Sequence, residues 1–365
     1  MSQGISSRVR IAMLVPGSLE HSGGIGRWAG YLEKSWRDQQ LQPPLEIINT
    51  RGTGHAGRAG WAFTTALLRL LRLHATGRLG AVHANLSKRG STARKLIVSA
   101  VAARLRIPLV IHLHGSGYDS FFAALPGFWQ RRVTAMFRRA DRVVVLGQGW
   151  ADWVTRTLGV PPDRVHILNN GVPRPAVRER PAGPCRILLL GRLGPRKGVP
   201  ELIRALGTEA VRARAWTAVL AGDGEVELYR GQVDAAGLSD RVVLPGWLDA
   251  AAAADRLAMT DILVLPSHAE NLPISIIEAL AARVAVVATP VGATPELLTH
   301  ERSALFVPVG DAGALADALV RLIDDPALRH AIAEAGHAVY DQKLDIDLLS
   351  RRLAALHGSL CLPAC

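Results

Sequence analysis

The sequence predicts an α/β protein built from two doubly wound domains, and three observations carry that expectation. The first is length: 365 residues are about twice what one ordinary domain requires. The second is pattern, because short continuous apolar runs alternate with helix-period segments in both halves, as in parallel sheets covered on both faces. The third is residues 172–184 (VPRPAVRERPAGP), whose four prolines and lack of periodicity mark a linker near mid-chain. With 49% hydrophobic and 20% charged residues the chain can fill two cores.

In the first half, residues 9–15 form an apolar run ending at Pro16-Gly17, which reads as a strand delivering its C-terminal end to a loop. Helical periodicity follows around residues 27–37, 61–74 and 93–105, and residues 109–113 and 142–146 read as buried strands. In the second half, strands are expected at 186–190, 217–221, 241–244, 262–265 and 285–288. No apolar stretch reaches the roughly 18 residues of a membrane span, and residues 11–15 are too short for a signal-peptide core. Cys185, Cys361 and Cys365 supply neither a disulfide framework nor a four-thiolate zinc site, so a reducing cytoplasmic setting is expected.

Charge is divided unequally. Residues 1–180 hold 26 Lys and Arg against 9 Asp and Glu, whereas residues 181–365 hold 17 against 22. A basic half beside a mildly acidic one points to something anionic: nucleic acid, a membrane surface or a phosphorylated substrate. The basic residues are not condensed into an aromatic-interleaved stripe, and no helix-turn-helix or zinc pattern appears, which opposes a nucleic-acid binder.

Doubly wound sheets bind ligands at the C-terminal ends of their strands, where helix N-termini present amides. At the end of the strand at 262–265 stands Pro266-Ser267-His268-Ala269-Glu270-Asn271-Leu272-Pro273, followed by a helix from about Ile274, with Pro273 suited to its first turn. Glu270 lies in the loop and Glu278 one to two turns into the helix. Two carboxylates placed so can reach hydroxyls on either side of a phosphate held at the helix start.

These residues carry a resemblance. The segment PSHAENLPISIIEALAARVAVVATPVGATPEL (266–297) resembles the E-x7-E signature of retaining glycosyltransferases of family GT4. LLLGRLGPRKGVPELIRAL (188–206), LAGDGE (220–225), RVVLPGW (241–247) and LFVPVGDAGALADAL (305–319) match the same family in order. The first half matches more loosely, through SGGIGRW and VIHLHGS. The resemblance implies the GT-B fold, two facing Rossmann-like domains with a cleft between them. It divides the chain into an acceptor-binding domain (1–172), a linker (173–185), a nucleotide-sugar domain (186–343) and a C-terminal helix (344–365) that packs back on the first domain.

The family's roles transfer position by position. Arg192 and Lys197, just past the strand at 186–190, would hold the donor diphosphate, one as a planar fork and one as a point charge; Arg196 offers itself for either place. Glu270 would contact the transferred sugar, Glu278 the nucleotide ribose, and Leu272, Pro273 and Ile274 would lie against the distal phosphate. Apart from the resemblance, Gly24 and Gly26 read as a glycine-rich loop before a helix near Arg27, whose backbone freedom permits close approach to the donor phosphate across the cleft; a flexible turn is the other reading.

His112 and His114 point to the same side of one strand. His112 reads as a core histidine. His114 stands at the strand's end before Gly115-Ser116-Gly117, where the family places a histidine near the transferred sugar; a purely structural His114 is the other reading. Residues 118–132 (YDSFFAALPGFWQRR) concentrate aromatics beside Arg131 and Arg132, either as core or as an acceptor entrance touching a membrane. Trp61, Phe63 and the leucines of 67–73 pose the same choice. Asp345-Ile346-Asp347 is formally D-x-D, but it opens a C-terminal helix where acidic residues favour the dipole, so it is read as structural.

The expected activity is transfer of a sugar from a nucleotide-diphosphate sugar to a glycan or polyprenyl-diphosphate-linked acceptor, as in bacterial surface or exopolysaccharide synthesis. Neither a metal nor a cofactor is expected. Attachment of the first domain to the inner face of the cytoplasmic membrane is a further expectation. The competing enzyme reading is a nucleotide-sugar epimerase on the same fold.

Overall fold

The computed structural model describes residues 9–17, 23–52, 56–176 and 180–361. The chain divides into two units: residues 1–171 with 346–365, and residues Val172–Asp345. Cys365 lies outside the described residues.

The first unit contains a parallel six-stranded sheet of β1 (Arg10–Val15), β2 (Leu45–Asn49), β3 (Leu79–Leu86), β4 (Leu109–Leu113), β5 (Arg142–Val145) and β6 (Val165–Ile167), ordered β2-β1-β3-β4-β5-β6. Strand order therefore reverses between β1 and β3. The second unit contains β7 (Cys185–Leu190), β8 (Trp216–Ala221), β9 (Val242–Gly246), β10 (Ile262–Leu265), β11 (Ala285–Ala288) and β12 (Leu305–Phe306), ordered β12-β11-β10-β7-β8-β9, again parallel. Its reversal falls between β7 and β10. In such sheets the crevice beyond the strand ends at the reversal is where ligands bind.

Burial explains why the apolar runs are strands. All of LVIHL in β4 and all of ILVL in β10 are buried, as both faces of a parallel sheet require. The helices between them each bury one stripe. Helix Val199–Leu206, for example, buries Val199, Leu202, Ile203 and Leu206 and leaves Arg204 outward. Separate cores result, one around Leu14, Ile111, Phe137 and Val143, the other around Ile187, Trp216, Val264 and Val287.

Three features differ from the sequence-based expectation. Strands β2, β3, β6 and β12 were not foreseen, nor were helices Tyr118–Ala123, Gly127–Arg139 and Gln148–Arg156. The helix expected near Arg27 begins at Gly23, so Gly24 and Gly26 occupy its first turn instead of a preceding loop. Residues 172–184 are held against the second unit where described. Val172 bridges Asp345, Arg174 pairs with Asp341 at 2.6 Å, and Arg180 donates to the carbonyls of Ala258, Ala282 and Arg283.

Helix Ile346–Cys361 belongs to the first unit, packed on helix Gly23–Asp38 and β3. Ser35 Oγ lies 2.8 Å from Ser350 Oγ and donates to Asp347 Oδ1 at 2.7 Å, and Arg351 donates to Gln39. Asp345 pairs instead with Arg174, so the two carboxylates of the D-x-D triplet have separate structural partners. Among the described residues, no helix is long and apolar enough to cross a membrane.

Candidate active site

In the second unit the residues expected to hold the donor gather at the ends of β7 and β10. After β7 the chain turns through Gly191 (φ 151°) and a 3-10 turn, Pro195–Lys197. A Cβ at Gly191 would stand 2.9 Å from Lys197 Cε, so glycine lets the lysine side chain pass over the strand end. Gly198 fits against the Pro266 carbonyl, where a Cβ would approach to 2.1 Å. The loop after β10 is tied to this turn by His268 N–H donating to the Arg196 carbonyl and by the Arg196 guanidinium donating to the Ala269 carbonyl.

This fastening brings Glu270 onto the cations. Its Oε1 accepts from Lys197 Nζ at 2.8 Å and from Arg196 at 3.1 Å, and the Lys197 and Glu270 side chains are both only 11% exposed. Sequence reasoning gave Lys197 to the diphosphate and Glu270 to the sugar; the structure makes them direct partners. Arg192 is outward, 72% exposed, 3.7 Å from Asp223. Helix Ile274–Ala281 is buried throughout, Glu278 included, and no side chain caps its start at Pro273. Leu272, Pro273 and Ile274 are buried with it.

The first unit presents a different edge. His114 Nε2 lies 2.8 Å from Asn85 Oδ1, and the Asn85 amide is oriented by donation to the Leu14 carbonyl. His114 is therefore the Nε2–H tautomer, with Nδ1 as its accepting nitrogen. Its ring is 9% exposed and packs on Trp28 and His112. Behind it, His112, His83 and His357 form a chain, with His83 Nε2 3.2 Å from His112 Nδ1 and His83 Nδ1 3.0 Å from His357 Nε2. Burial holds the imidazoles neutral, His83 and His114 down to about 3 and His112 and His357 well below the ordinary histidine value; neighbouring histidines add to the effect at the last three. His114 thus serves as a neutral hydrogen-bonding group. Gly24 is exposed and Gly26 buried in the first turn of their helix. Asn85 and His83 escaped sequence reasoning, although their two-residue spacing repeats that of His112 and His114.

The aromatic segment is only partly core. Tyr118 and Phe122 are buried, whereas Phe128 and Trp129 are about half exposed, as Trp61 is to 74%. Among the described residues no group of three His, Cys, Asp or Glu is arranged to hold a metal ion.

Each unit thus carries polar groups at its own reversal point, cations with a carboxylate in the second and a neutral histidine in the first. Residues 184–325 match the family model "Glycosyl transferases group 1" and residues 22–171 match "Glycosyl transferase 4-like domain"; the chain belongs to this glycosyltransferase family. It is 29% identical over 342 residues to the alpha-D-kanosaminyltransferase of Streptomyces kanamyceticus, covering 87% of this chain and 88% of that one. To the 2-deoxystreptamine N-acetyl-D-glucosaminyltransferase of Streptomyces fradiae it is 30% identical, covering 80% and 74%. To the amylovoran biosynthesis glycosyltransferase AmsK of Erwinia amylovora it is 26% identical, covering 68% and 60%. The crystal structure of Anabaena HepE in complex with UDP superimposes with a TM-score of 0.75 at 20% identity, covering 96% of this chain and 100% of that one. The fold is GT-B.

Proposed function

We propose that the chain is a retaining GT4-type hexosyltransferase that moves a sugar from a nucleotide-diphosphate sugar to an acceptor in polysaccharide assembly. The observation that carries this reading is the Lys197–Glu270–Arg196 cluster at the reversal between β7 and β10. An arriving diphosphate competes with Glu270 for Lys197, and the released carboxylate then accepts from sugar hydroxyls. Arg192 supplies a second cation. Glu278, inside the following helix, is assigned to the ribose, and Leu272, Pro273 and Ile274 to the distal phosphate. Gly24 and Gly26 bring helix amides to the donor phosphate.

In the step itself, the bond from the anomeric carbon to the diphosphate oxygen breaks as the acceptor oxygen bonds to the same carbon. Attack comes from the face the diphosphate leaves, and a leaving phosphate oxygen takes the hydroxyl proton. Charge growing on that phosphate falls to Arg192 and Lys197. His114, neutral and held by Asn85, is assigned a hydrogen bond to the transferred sugar. UDP-sugars head the donor candidates because HepE was crystallised with UDP.

For the acceptor we favour a polyprenyl-diphosphate-linked oligosaccharide over a diamine such as the 2-deoxystreptamine of the Streptomyces fradiae relative. The basic first half supports this choice, as do exposed Trp61, Leu68, Phe128 and Trp129 with arginines beside them. The same surface suits reversible attachment to anionic lipid. The test is a thermal-shift panel of nucleotide-diphosphate sugars, followed by the anomeric configuration of the product by NMR. A donor at 100 times its dissociation constant adds about 2.7 kcal/mol of stability. No stabilising donor, or an inverted product, would overturn the reading.

A further inference from the structure

Lys95 is a cation that the fold leaves without compensation. It lies in the second turn of helix Gly90–Leu105 with 2% of its surface exposed. Its partner is Ser91 Oγ at 3.5 Å, the limit of a hydrogen bond, and no carboxylate among the described residues pairs with it. Helical side chains lean toward the helix N-terminus, so the ammonium lies at the positive end of the dipole. That first turn has no acidic residue and no side-chain cap. Arg94 follows the same pattern, half buried, with Nε lacking an acceptor. Lys88 Nζ lies 3.5 Å from where a Cβ of Gly117 would stand, in the loop that follows His114.

Hydroxyls complete the surroundings. Ser91 Oγ accepts from the Ser87 amide, Thr92 Oγ1 donates to the Ser87 carbonyl, and the Thr92 and Tyr118 hydroxyls are 3.1 Å apart. Among the described residues, the titratable groups acting on Lys95 and its neighbours are cationic or neutral: Arg94 on the same helix, His114 from β4, His83 from β3, Arg51, and the phenol of Tyr118. Burial, with Arg94 adding to it, brings the ammonium down to about 7. A buried charge at a helix N-terminus is costly unless an anion meets it.

Resting on the transferase reading above, we infer that Lys95, Arg94, Lys88 and the Ser91 hydroxyl form an anion site that receives a phosphate group carried by the acceptor. A tetrahedral dianion there satisfies the cations and the helix start together, beside the strand end that carries His114. The same chemistry occurs in the donor diphosphate, so the test separates the two sources.

Sulfate serves as the probe because its charge stays constant from pH 6 to 8.5. In full-length Lys197→Ala protein, which weakens the donor site, sulfate should raise the melting temperature above chloride at matched ionic strength. The apparent sulfate affinity should fall roughly thirtyfold from pH 6 to 8.5 as Lys95 loses its proton. Lys95→Met should abolish that response, and Arg94→Gln should weaken it tenfold with the fold left intact. A sulfate effect unchanged in both variants would overturn the site. With Lys197 present, kcat/KM for a sugar joined to an alkyl chain through a phosphodiester is compared with that for the neutral alkyl glycoside. Their ratio should fall at least tenfold in Lys95→Met. A rise in donor KM with that ratio unchanged would reassign the anion to the donor and overturn the acceptor assignment. Turnover with neither acceptor would count against the transferase reading, and the sulfate experiment would still decide the site.

Discussion

At the C-terminal edge of the second sheet, Lys197 and Arg196 share Glu270, and Arg192 lies within reach of Asp223. At the same edge of the first sheet, Lys95 meets no carboxylate among the described residues, and four histidines are buried in neutral form. One unit holds opposite charges against each other. The other keeps polar groups dry by holding imidazoles uncharged and gives its buried lysine a hydroxyl partner only. Ion pairing tolerates a wide pH range, whereas enforced neutrality does not.

Acid should expose that difference most strongly. The folded histidines titrate below their unfolded value, so the unfolded chain binds more protons and stability is lost as pH falls from about 6.5 toward 3. Each imidazole contributes up to ~2 kcal/mol of that loss at pH 5. Hydrogen exchange at pH 7 and pH 5 should show β3, β4 and helix Ile346–Cys361 opening while β7 and β10 hold. Equal response of both units would break the comparison.

The next effect is on the paired edge. Lys197→Ala should lower kcat/KM for the donor by two to three orders of magnitude, about 3–4 kcal/mol. Glu270→Gln should impair transfer with the melting curve still cooperative. Wild-type turnover in either variant would make the pair a structural clasp. Asn85→Leu comes third: it removes the acceptor of the His114 N–H and should cost about 1–3 kcal/mol of stability by chemical denaturation. Turnover should fall with it, and unchanged turnover would confine His114 to packing. Smallest is Trp61→Ser. At a 74% exposed position it should alter stability by less than about 0.5 kcal/mol. Its expected effect is reduced co-sedimentation with anionic vesicles at low salt, with no change for neutral ones.

Legibility in the sequence varied from element to element in both units. Strands β7, β10 and β11 were placed to within a residue because each holds a run of four consecutive apolar residues. The run of β3 is interrupted by His83 and Asn85, the side chains that build the buried cluster, so chemistry hid the strand. Edge strand β2 is mostly half-buried and carries Glu46, and β12 has two residues, too few for periodicity to register. Glu270 and Lys197 were legible singly; their contact, made by the loop after β10 folding onto the turn after β7, was not. Lys95 reads in sequence as an ordinary helix-surface lysine. Only packing shows that its face, with Ser91, Val98, Ser99 and Ala102, is inside.

The bridge between Val172 and Asp345 has a consequence for biosynthesis. It closes the second unit at both of its ends, making that unit an insertion within the first. On a chain emerging from the ribosome, the second unit has its whole sequence as soon as Asp345 appears. The first unit, though begun earlier, still lacks the helix that supplies His357, Ser350 and Asp347 to its interior and flank. The later-encoded unit can therefore finish first, and β3 stays without its covering helix until residues 346–361 have been made. A pause or truncation between residues 346 and 357 would leave a folded second unit attached to an unfinished first one.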